Sequence, residues 1–357
     1  MKRVVIIADC IDTQNAGIQA YTRNMIDALS MLPDIELFCV RIKSPNNDIL
    51  KNQIVVKPVL PFLIKEPFRL FFKLPSVIRK LKPDIVIEPA HMGPFNLPAY
   101  IKRVTVIHDL TPIKFPQWHT WFSATLQRLL LPNILQKASM IITNSNNTSS
   151  DLADCYPFTK DKIFRIYPAS DTYYSIKPNE PISAKAHFFL SVGTLEPRKN
   201  LNMLLDAYLL FRQKSEYTHK LIICGATGWK NQNFFKKLNN HPFRNDIELK
   251  GYVPKEELKE LYKTTAAFVY PSLYEGFGFP VAEALNCNAT CFVSNTSSLP
   301  EVGGDSVFYF NPDSAEELFT LFVAAASESL PAKNKCHNAF TIESFSKELG
   351  KAIQSLQ

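Results

Sequence analysis

Short apolar runs with the character of buried strands recur along the chain, and longer stretches with helical spacing separate them. In the first half the runs are VVIIA at 4–8, ELFCV at 36–40, IVIE at 85–88, VTVI at 104–107 and MIIT at 140–143. After about residue 185 the pattern restarts with FFLSV at 188–192, KLIICG at 220–225, DIELKG at 246–251, AAFVY at 266–270 and ATCFV at 289–293. This alternation predicts two α/β domains, each a doubly wound parallel sheet with helices on both faces.

The boundary between the two halves is expected near 167–185, where YPASDTYYSIKPNEP combines prolines with polar residues. We therefore predict an N-terminal Rossmann-like domain over 1–170 and a C-terminal one over 171–335. Sheets of this kind bind ligands at the carboxyl ends of their strands. With two facing sheets, the predicted site is the cleft between them.

Composition narrows the class of protein. The chain is 46% hydrophobic and 20% charged over 357 residues, which excludes disorder, coiled coil and collagen. No uncharged apolar run reaches the roughly 18–20 residues of a membrane-spanning helix. The N-terminal MKRVVIIADC is interpreted as a first buried strand and not as a signal peptide. Seven cysteines without CxxC spacing argue against a disulfide framework and predict a reducing, cytoplasmic location.

Charge and glycine are unevenly distributed. Residues 1–170 hold 21 basic and 13 acidic side chains, a net of +8, whereas residues 171–357 hold 19 and 20, a net of −1. Nine of the eleven glycines follow residue 190. Because glycine allows backbone to turn sharply or approach a ligand closely, the second half is the one whose loops are expected to bind something.

The first candidate site is FFLSVGTLEPRKN at 188–200, which runs from a buried strand through Gly193 to a predicted helix start. Arg198 and Lys199 lie where that helix is predicted to begin. Two cations beside unpaired helix-start N–H groups favour a phosphate. The alternative is a solvated basic pair near a helix end.

The second candidate site is VYPSLYEGFGFPVAEAL at 269–285. A strand leads into a loop with Glu275, Gly276 and Gly278, and Pro280 stands where a first helical residue prefers to be. Glu275 and Glu283 can face one pocket above the strand, and a carboxylate accepts hydrogen bonds from two vicinal sugar hydroxyls. The alternatives are an exposed loop acid and an acid that only favours the helix dipole.

These residues resemble a known family. EGFGFPVAE is similar to the E-x7-E signature of family 4 glycosyltransferases, which are retaining enzymes with the two-domain GT-B fold. The resemblance covers nearly the whole second half, and the closing stretch 336–357 fits a C-terminal helix that crosses back to the N-terminal domain. IHDLTPIKFP at 107–116 and IITNSNNTSSDL at 141–152 resemble a branch rich in mannosyltransferases of surface-polysaccharide assembly.

The resemblance implies roles for individual residues. Lys199 and Arg198 would bind the donor diphosphate, Glu283 the ribose, and His108 the 6-hydroxyl of the transferring sugar. The sugar itself would be held by the carboxylate and backbone amides of the loop Glu275, Gly276, Phe277, Gly278 and Phe279. Two departures from the family are Thr194, where many members have Arg, and Ala16–Gly17, where the family has paired glycines.

His108 and Asp109 follow the strand VTVI, so both should emerge at the carboxyl edge of the first sheet. A neutral imidazole there can share a sugar hydroxyl while Asp109 orients a donor or an acceptor. The alternative is a capping turn at a strand end. No HExxH motif, close histidine pair or Asp-x-Asp triplet occurs, so we predict no metal site.

The resulting functional prediction is a retaining hexosyltransferase, with mannose favoured, in bacterial surface-polysaccharide synthesis. Its donor would be a nucleoside-diphosphate sugar, with GDP-mannose favoured and a UDP-sugar allowed, and its acceptor a glycan or a lipid-linked glycan. The alternatives are a sugar-nucleotide epimerase or phosphorylase of similar architecture and a non-catalytic relative. A nicotinamide dehydrogenase is disfavoured, because NAGIQAY lacks the G-x-G-x-x-G that should follow the first strand.

The basic excess concentrates between residues 51 and 82. The residues concerned are Lys51, Lys57, Lys65, Arg69, Lys73, Arg79, Lys80 and Lys82, against the single acid Glu66. Phenylalanines interleave with these cations, which is typical of surfaces that bind anionic lipid headgroups. We predict peripheral contact with the inner face of the cytoplasmic membrane and no nucleic-acid partner; the alternative is an amphipathic helix packed on the sheet.

Overall fold

The computed structural model describes residues 1–13, 17–43, 50, 52–58, 68–176, 184–333 and 340–356. The chain divides into two units. Unit 1 consists of Met1–Ile113, Phe122–Ala169 and Phe340–Gln357, and unit 2 of Lys114–Trp121 and Ser170–Ala339.

Unit 1 is built on a seven-stranded parallel sheet in the order β3-β2-β1-β4-β5-β6-β7. Its strands are β1 (Lys2–Ile7), β2 (Ile35–Arg41), β3 (Gln53–Val55), β4 (Ile85–Glu88), β5 (Lys102–Ile107), β6 (Met140–Thr143) and β7 (Ile163–Arg165). All four residues of β4 and of β6 are buried. Strands covered on both faces require continuous apolar runs, which is why IVIE and MIIT were recognisable in the sequence.

The helices of unit 1 cover both faces of this sheet. They are α1 (Asp9–Thr13), α2 (Gly17–Ser30), α3 (Leu74–Leu81), α4 (Thr111–Lys114), α5 (Trp121–Lys137), α6 (Asn146–Cys155) and α13 (Ile342–Ser355). Lys114, the last residue of α4, and Trp121, the first residue of α5, are grouped with unit 2. The closing helix α13 belongs to unit 1, where Ser346 Oγ donates to the Ala28 carbonyl at 2.8 Å and Lys2 Nζ to the Ile353 carbonyl at 2.9 Å.

Unit 2 is built on a six-stranded parallel sheet in the order β10-β9-β8-β11-β12-β13. Its strands are β8 (Ala186–Val192), β9 (Lys220–Cys224), β10 (Ile247–Gly251), β11 (Thr265–Tyr270), β12 (Cys291–Ser294) and β13 (Phe308–Phe310). Its helices are α7 (Leu201–Lys214), α8 (Gln232–Asn239), α9 (Lys255–Thr264), α10 (Phe279–Asn286), α11 (Leu299–Gly303) and α12 (Ala315–Ala326). An aromatic core joins β8 to α12, with the Phe189 and Phe322 rings stacked at 4.2 Å.

The predicted fold class is confirmed, because each unit is a parallel sheet with helices on both faces. Every strand expected from the apolar runs is present. The sequence pattern missed β3, β7 and β13, which have three residues each and lie at the edges of their sheets. So short a strand shows too few alternations to stand out from a loop.

The segment Lys114–Trp121 was expected in the N-terminal domain, but the structure groups it with unit 2. Trp229 Nε1 donates to the Trp118 carbonyl at 2.6 Å, and Lys230 Nζ donates to the Gln117 carbonyl at 2.6 Å. The Phe115 ring lies 5.3 Å from the Tyr274 ring. These contacts are made by backbone carbonyls and aromatic faces, which carry no sequence signature of domain membership.

The basic stretch differs from the expectation at Arg69. This side chain is fully buried and is paired with Asp9, and its Nε donates to the Val56 carbonyl at 2.6 Å. Arg69 therefore forms an ion pair with Asp9 in the core and is not available to bind a lipid headgroup. Lys51, Lys65 and Glu66 lie outside the described residues. No helix in the described ranges is both long and apolar enough to cross a bilayer.

Candidate active site

Two adjacent strands of unit 2, β8 and β11, deliver the residues of the candidate site to one edge of the sheet. Strand β8 ends at Val192, and Gly193 follows it directly. A Cβ at Gly193 would lie 3.2 Å from Lys199 Cε. The absence of a side chain at this position thus lets Lys199 pass close to the backbone at the strand end. A narrow crevice here is lined by Gly193, Lys199, Tyr270 and Ser272 among others.

The two predicted cations sit in a single 3-10 turn, Pro197–Lys199, that precedes α7. The Lys199 ammonium is buried and donates to Glu275 Oε1 at 2.6 Å and to the Tyr270 hydroxyl at 2.7 Å. Arg198 donates to Glu196 Oε1 at 2.7 Å and to the Tyr274 carbonyl at 3.1 Å, and it also pairs with Glu275 Oε2. The structure therefore brings Arg198, Lys199 and Glu275 together.

Burial and ion pairing act in opposite directions on these groups. Burial alone would raise the pKa of Glu275, but the charges of Arg198 and then Lys199 outweigh it and lower the pKa to about 2. Burial, together with the charge of Arg198, lowers the pKa of Lys199, and Glu275 opposes that shift. Glu275 thus remains ionised at neutral pH, and its charge favours the protonated form of the lysine beside it.

The loop that carries Glu275 is clamped by serines that the sequence analysis did not identify. Ser298 Oγ donates to the carbonyls of Glu275 and Phe277, both at 2.9 Å, and Ser297 Oγ accepts from the Glu275 N–H at 2.9 Å. Gly278 caps α10 with a φ of 111°, and a Cβ there would lie 2.8 Å from Leu299 Cδ2. Both the backbone angle and the contact favour glycine at this position.

The other residues predicted for the donor are distributed around this loop. Gly276 and Phe277 are buried, with the Phe277 ring 5.1 Å from that of Phe279. The Phe277 side chain therefore could not reach a ligand without repacking. Thr194 is partly buried after β8, and Gly17 is the exposed first residue of α2 in unit 1. Their contact with a donor stays a prediction.

Glu283 lies in a second polar cluster, separate from the partners of Glu275. It projects from α10 and accepts a hydrogen bond from the Tyr262 hydroxyl at 3.2 Å. Burial raises its pKa to about 7, and the charge of Asp171 adds to that shift while Tyr262 opposes it. A carboxyl that titrates near neutrality and has an aromatic hydroxyl as neighbour is suited to bind hydroxyl groups.

His108 and Asp109 lie in unit 1, directly after β5. His108 Nε2 donates to the Pro89 carbonyl at 2.7 Å, which leaves Nδ1 as the acceptor of a neutral ring. Burial lowers the pKa of His108, although Asp109 opposes the shift. Asp109 Oδ1 accepts from both the N–H and the hydroxyl of Thr111, at 2.9 and 2.6 Å. This oxygen caps the following turn, as the alternative interpretation of the pair stated.

The sequence suggested no metal ligands. Across the ranges that the structure describes, no three His, Cys, Asp or Glu side chains are grouped so that they could hold a metal ion.

Comparison with known proteins covers both halves of the chain. A family model described as Glycosyltransferase Family 4 matches residues 16–173, and one described as Glycosyl transferases group 1 matches residues 175–337. The chain is 34% identical over 236 residues to O-antigen chain mannosyltransferase B of Escherichia coli, an alignment that covers 63% of this chain and 62% of the relative. It is 24% identical to O-antigen chain mannosyltransferase RfbU of Salmonella typhimurium, with 83% of each chain covered.

A solved structure supports the fold independently. The structure of Anabaena Alr3699/HepE in complex with UDP and glucose superposes with a TM-score of 0.72 at 15% identity, and covers 99% of this chain and 100% of its own. Identity this low shows the architecture alone. This match shows the GT-B fold, and the two family models show that the chain belongs to the family 4 glycosyltransferases.

Proposed function

We propose that the protein is a retaining hexosyltransferase that moves mannose from a nucleoside-diphosphate sugar to a glycan or lipid-linked acceptor in bacterial surface-polysaccharide synthesis. The observation that carries this proposal is the buried group of Arg198, Lys199 and Glu275 at the ends of β8 and β11. The names of the O-antigen mannosyltransferase relatives support the choice of mannose and of the acceptor class.

In this proposal the two cations stabilise the leaving group. Breaking the glycosidic C–O bond places negative charge on the diphosphate, and cations fixed in a dry site stabilise that charge best. Arg198 and Lys199 are held before any ligand arrives by Glu275 and Glu196. On donor binding the diphosphate replaces Glu275 as their partner, and the carboxylate becomes available to the sugar hydroxyls. No protein nucleophile is required, and Glu275 is not assigned as one.

The donor that we favour is GDP-mannose, used without a metal ion. Two side-chain cations and the start of α7 supply the positive charge that a bridging metal would otherwise provide. Asn200, the residue before α7, makes no side-chain cap to that helix. The first N–H groups of the helix are therefore not covered by a capping side chain.

A panel of GDP- and UDP-sugars tests the proposal, first by thermal shift and then by transfer to mannose-terminated acceptors. We expect GDP-mannose to stabilise the protein most, with or without chelator, and Lys199→Ala to abolish the shift. Lys236→Ala, which alters an exposed lysine of α8, is the matched control and should behave as wild type. Conversion of the donor without acceptor would indicate an epimerase or phosphorylase instead, and binding of no nucleotide sugar a non-catalytic relative.

Measuring donor affinity at different pH values tests the proposed ribose-binding role of Glu283. Because the pKa of this carboxyl is about 7, it is mostly protonated at pH 6 and mostly ionised at pH 8. The ionised form accepts hydrogen bonds from ribose hydroxyls more strongly. We expect donor affinity to rise about tenfold between pH 6 and pH 8, in step with the ionised fraction. Glu283→Gln should flatten this dependence; a wild-type affinity that does not vary with pH would contradict the ribose role.

Peripheral contact with anionic lipid is a further part of the proposal. Phe72 lies just before α3 and is 61% exposed. Arg79 and Lys80 on α3, and Lys82 directly after it, are exposed as well. In such a segment the aromatic side chain can enter the interface while the cations meet lipid headgroups. Flotation with anionic vesicles should recover the wild type but not Phe72→Ser, and equal flotation with neutral vesicles would argue against this contact.

A further inference from the structure

The Lys199 ammonium has a second partner besides Glu275, the hydroxyl group of Tyr270. It donates to the hydroxyl oxygen at 2.7 Å and to Glu275 Oε1 at 2.6 Å. Within the part of the chain that the structure describes, these are its two hydrogen-bond acceptors. A lysine ammonium has three N–H donors, so the third is not used by either partner.

The contact with Tyr270 is made at the hydroxyl oxygen rather than at the aromatic ring. The ammonium nitrogen of Lys199 lies 2.7 Å from that oxygen and 4.9 Å from the ring centroid. A phenylalanine at this position would keep the ring and remove the hydrogen-bond acceptor. The hydrogen bond can therefore be removed by a substitution that leaves the packing of the ring in place.

Tyr270 is itself held rigidly. It is the last residue of β11, which lies between β8 and β12 in the sheet. Its side chain is 1% exposed, and its ring stacks on that of Phe268 with centroids 5.7 Å apart. A side chain locked by packing on a strand holds a neighbouring functional group more precisely than a loop residue does. The hydroxyl of Tyr270 is thus a fixed point for the lysine.

The backbone and the tail of Lys199 are restricted as well. The Leu273 N–H donates to the Arg198 carbonyl at 2.9 Å, which ties the 3-10 turn before α7 to the residues that follow β11. The lysine tail passes Gly193, where a Cβ would lie 3.2 Å from Lys199 Cε. With both parts restricted, the hydrogen bond to Tyr270 fixes the direction of the ammonium.

The two partners of the ammonium differ in charge. Burial favours the neutral acid at Glu275, but the charges of Arg198 and Lys199 outweigh it and lower the pKa to about 2. Burial raises the pKa of Tyr270, and the charge of Glu275 adds to that shift, so the hydroxyl stays neutral. A carboxylate neutralises the lysine, whereas a phenol orients it and leaves its charge to an anionic ligand. A diphosphate therefore competes with Glu275 and not with Tyr270.

We propose that Tyr270 is a positioning residue that keeps Lys199 directed at the diphosphate of the donor. This inference rests on the proposed function, in which the diphosphate replaces Glu275 as a partner of the lysine. One N–H of the ammonium then stays on the Tyr270 hydroxyl, and the other two are available to phosphate oxygens. Tyr270 does not touch the sugar or the diphosphate, and it neither gains nor loses a proton during the reaction.

The test compares Tyr270→Phe with Tyr208→Phe in the full chain. Tyr208 is another fully buried tyrosine of unit 2, and its hydroxyl donates to the His219 carbonyl at 2.9 Å. Both substitutions remove one buried hydroxyl, but only the first removes a partner of Lys199. Each is made in the wild type and in Lys199→Ala. Transfer from GDP-mannose gives the donor kcat/KM, and calorimetry gives the affinities for GDP and UDP.

We expect Tyr270→Phe to lower the donor kcat/KM about tenfold and nucleotide affinity about threefold, as the loss of one hydrogen bond to a charged group allows. Tyr208→Phe should stay within twofold of wild type in both measurements. In the Lys199→Ala background, adding Tyr270→Phe should change kcat/KM less than twofold, because Tyr270 acts through the lysine alone. A purely structural defect would lower the rate in both backgrounds alike.

The inference is overturned if Tyr270→Phe transfers sugar within twofold of wild type, or if its loss is equal with and without Lys199. A wild type that transfers no sugar could still bind GDP or UDP. If that affinity falls in Tyr270→Phe only when Lys199 is present, the inference stands and the proposed function is refuted. Failure of the wild type to bind either nucleotide overturns both.

Discussion

Replacing Lys199 with alanine is expected to lower sugar transfer by roughly 100-fold or more, which is the usual cost of losing one fixed transition-state donor. Lys199 is buried at the end of β8 and is held by Glu275 and Tyr270 before any ligand binds. Water cannot replace its charge in so enclosed a site. The effect should fall on kcat as well as on donor binding, because the diphosphate is already anionic when it binds and gains further charge in the transition state.

Glu275→Ala should have an effect of similar size for a different reason. Without this carboxylate, Lys199 loses the partner that opposes the downward shift of its pKa. The lysine then loses its proton at lower pH, and activity should decline as pH rises in a range where the wild type is still active. Rates of diphosphate release between pH 6 and pH 9 measure this, and Glu248→Ala, an exposed acid of β10, is the control. Near-normal turnover in both Lys199→Ala and Glu275→Ala would discredit the placement of the site.

Replacing Arg103 with leucine should destabilise unit 1 by about 3–5 kcal/mol, the range measured when one partner of a buried ion pair is removed. Arg103 Nε donates to Glu88 Oε1 at 3.0 Å, and the Thr105 hydroxyl donates to Oε2 at 3.0 Å. Both members of the ion pair are buried between β4 and β5. The variant leaves the Glu88 carboxylate without a cation in the core of the sheet.

The pH dependence of this loss has a definite sign. Burial already raises the pKa of Glu88, and removing Arg103, which opposes that shift, raises it further. A carboxyl with a raised folded-state pKa favours folding at low pH, and that contribution is lost as pH rises. The defect of Arg103→Leu should therefore be smaller at pH 5 than at pH 8. Urea unfolding at pH 5 and pH 8, monitored through hydrogen exchange of the β4 and β5 amides, measures this difference in stability. Arg103→Leu combined with Glu88→Leu should restore most of the stability.

The sequence was sufficient for the architecture because the structure depends on patterns that are local. Every long buried strand has a continuous apolar run, so its position could be predicted from a few neighbouring residues. The strands that were missed, such as β7 (Ile163–Arg165), are short and lie at a sheet edge. Their pairing is decided by the neighbouring strand, which no window of sequence contains.

The candidate site was predictable only in part. The spacing of EGFGFPVAE and PRKN identified Glu275, Arg198 and Lys199, since the family signature records those positions. The ion pairs of Glu275 with Arg198 and Lys199 join segments 77 and 76 residues apart, and the hydrogen bond from Ser298 to the Glu275 carbonyl spans 23 residues, so no short motif contains these contacts.

The passage of Lys114–Trp121 into unit 2, and the return of α13 to unit 1, constrain how this enzyme could be dissected. The two family models meet near residue 174, and that junction looks like a natural place to separate the halves. A chain ending there would lack α13, whose Ser346 contacts Ala28. The complementary fragment would lack the backbone carbonyls that accept hydrogen bonds from Trp229 and Lys230. Each half therefore holds a piece of the other's fold, and the two modules seen in sequence are not two independently expressible proteins.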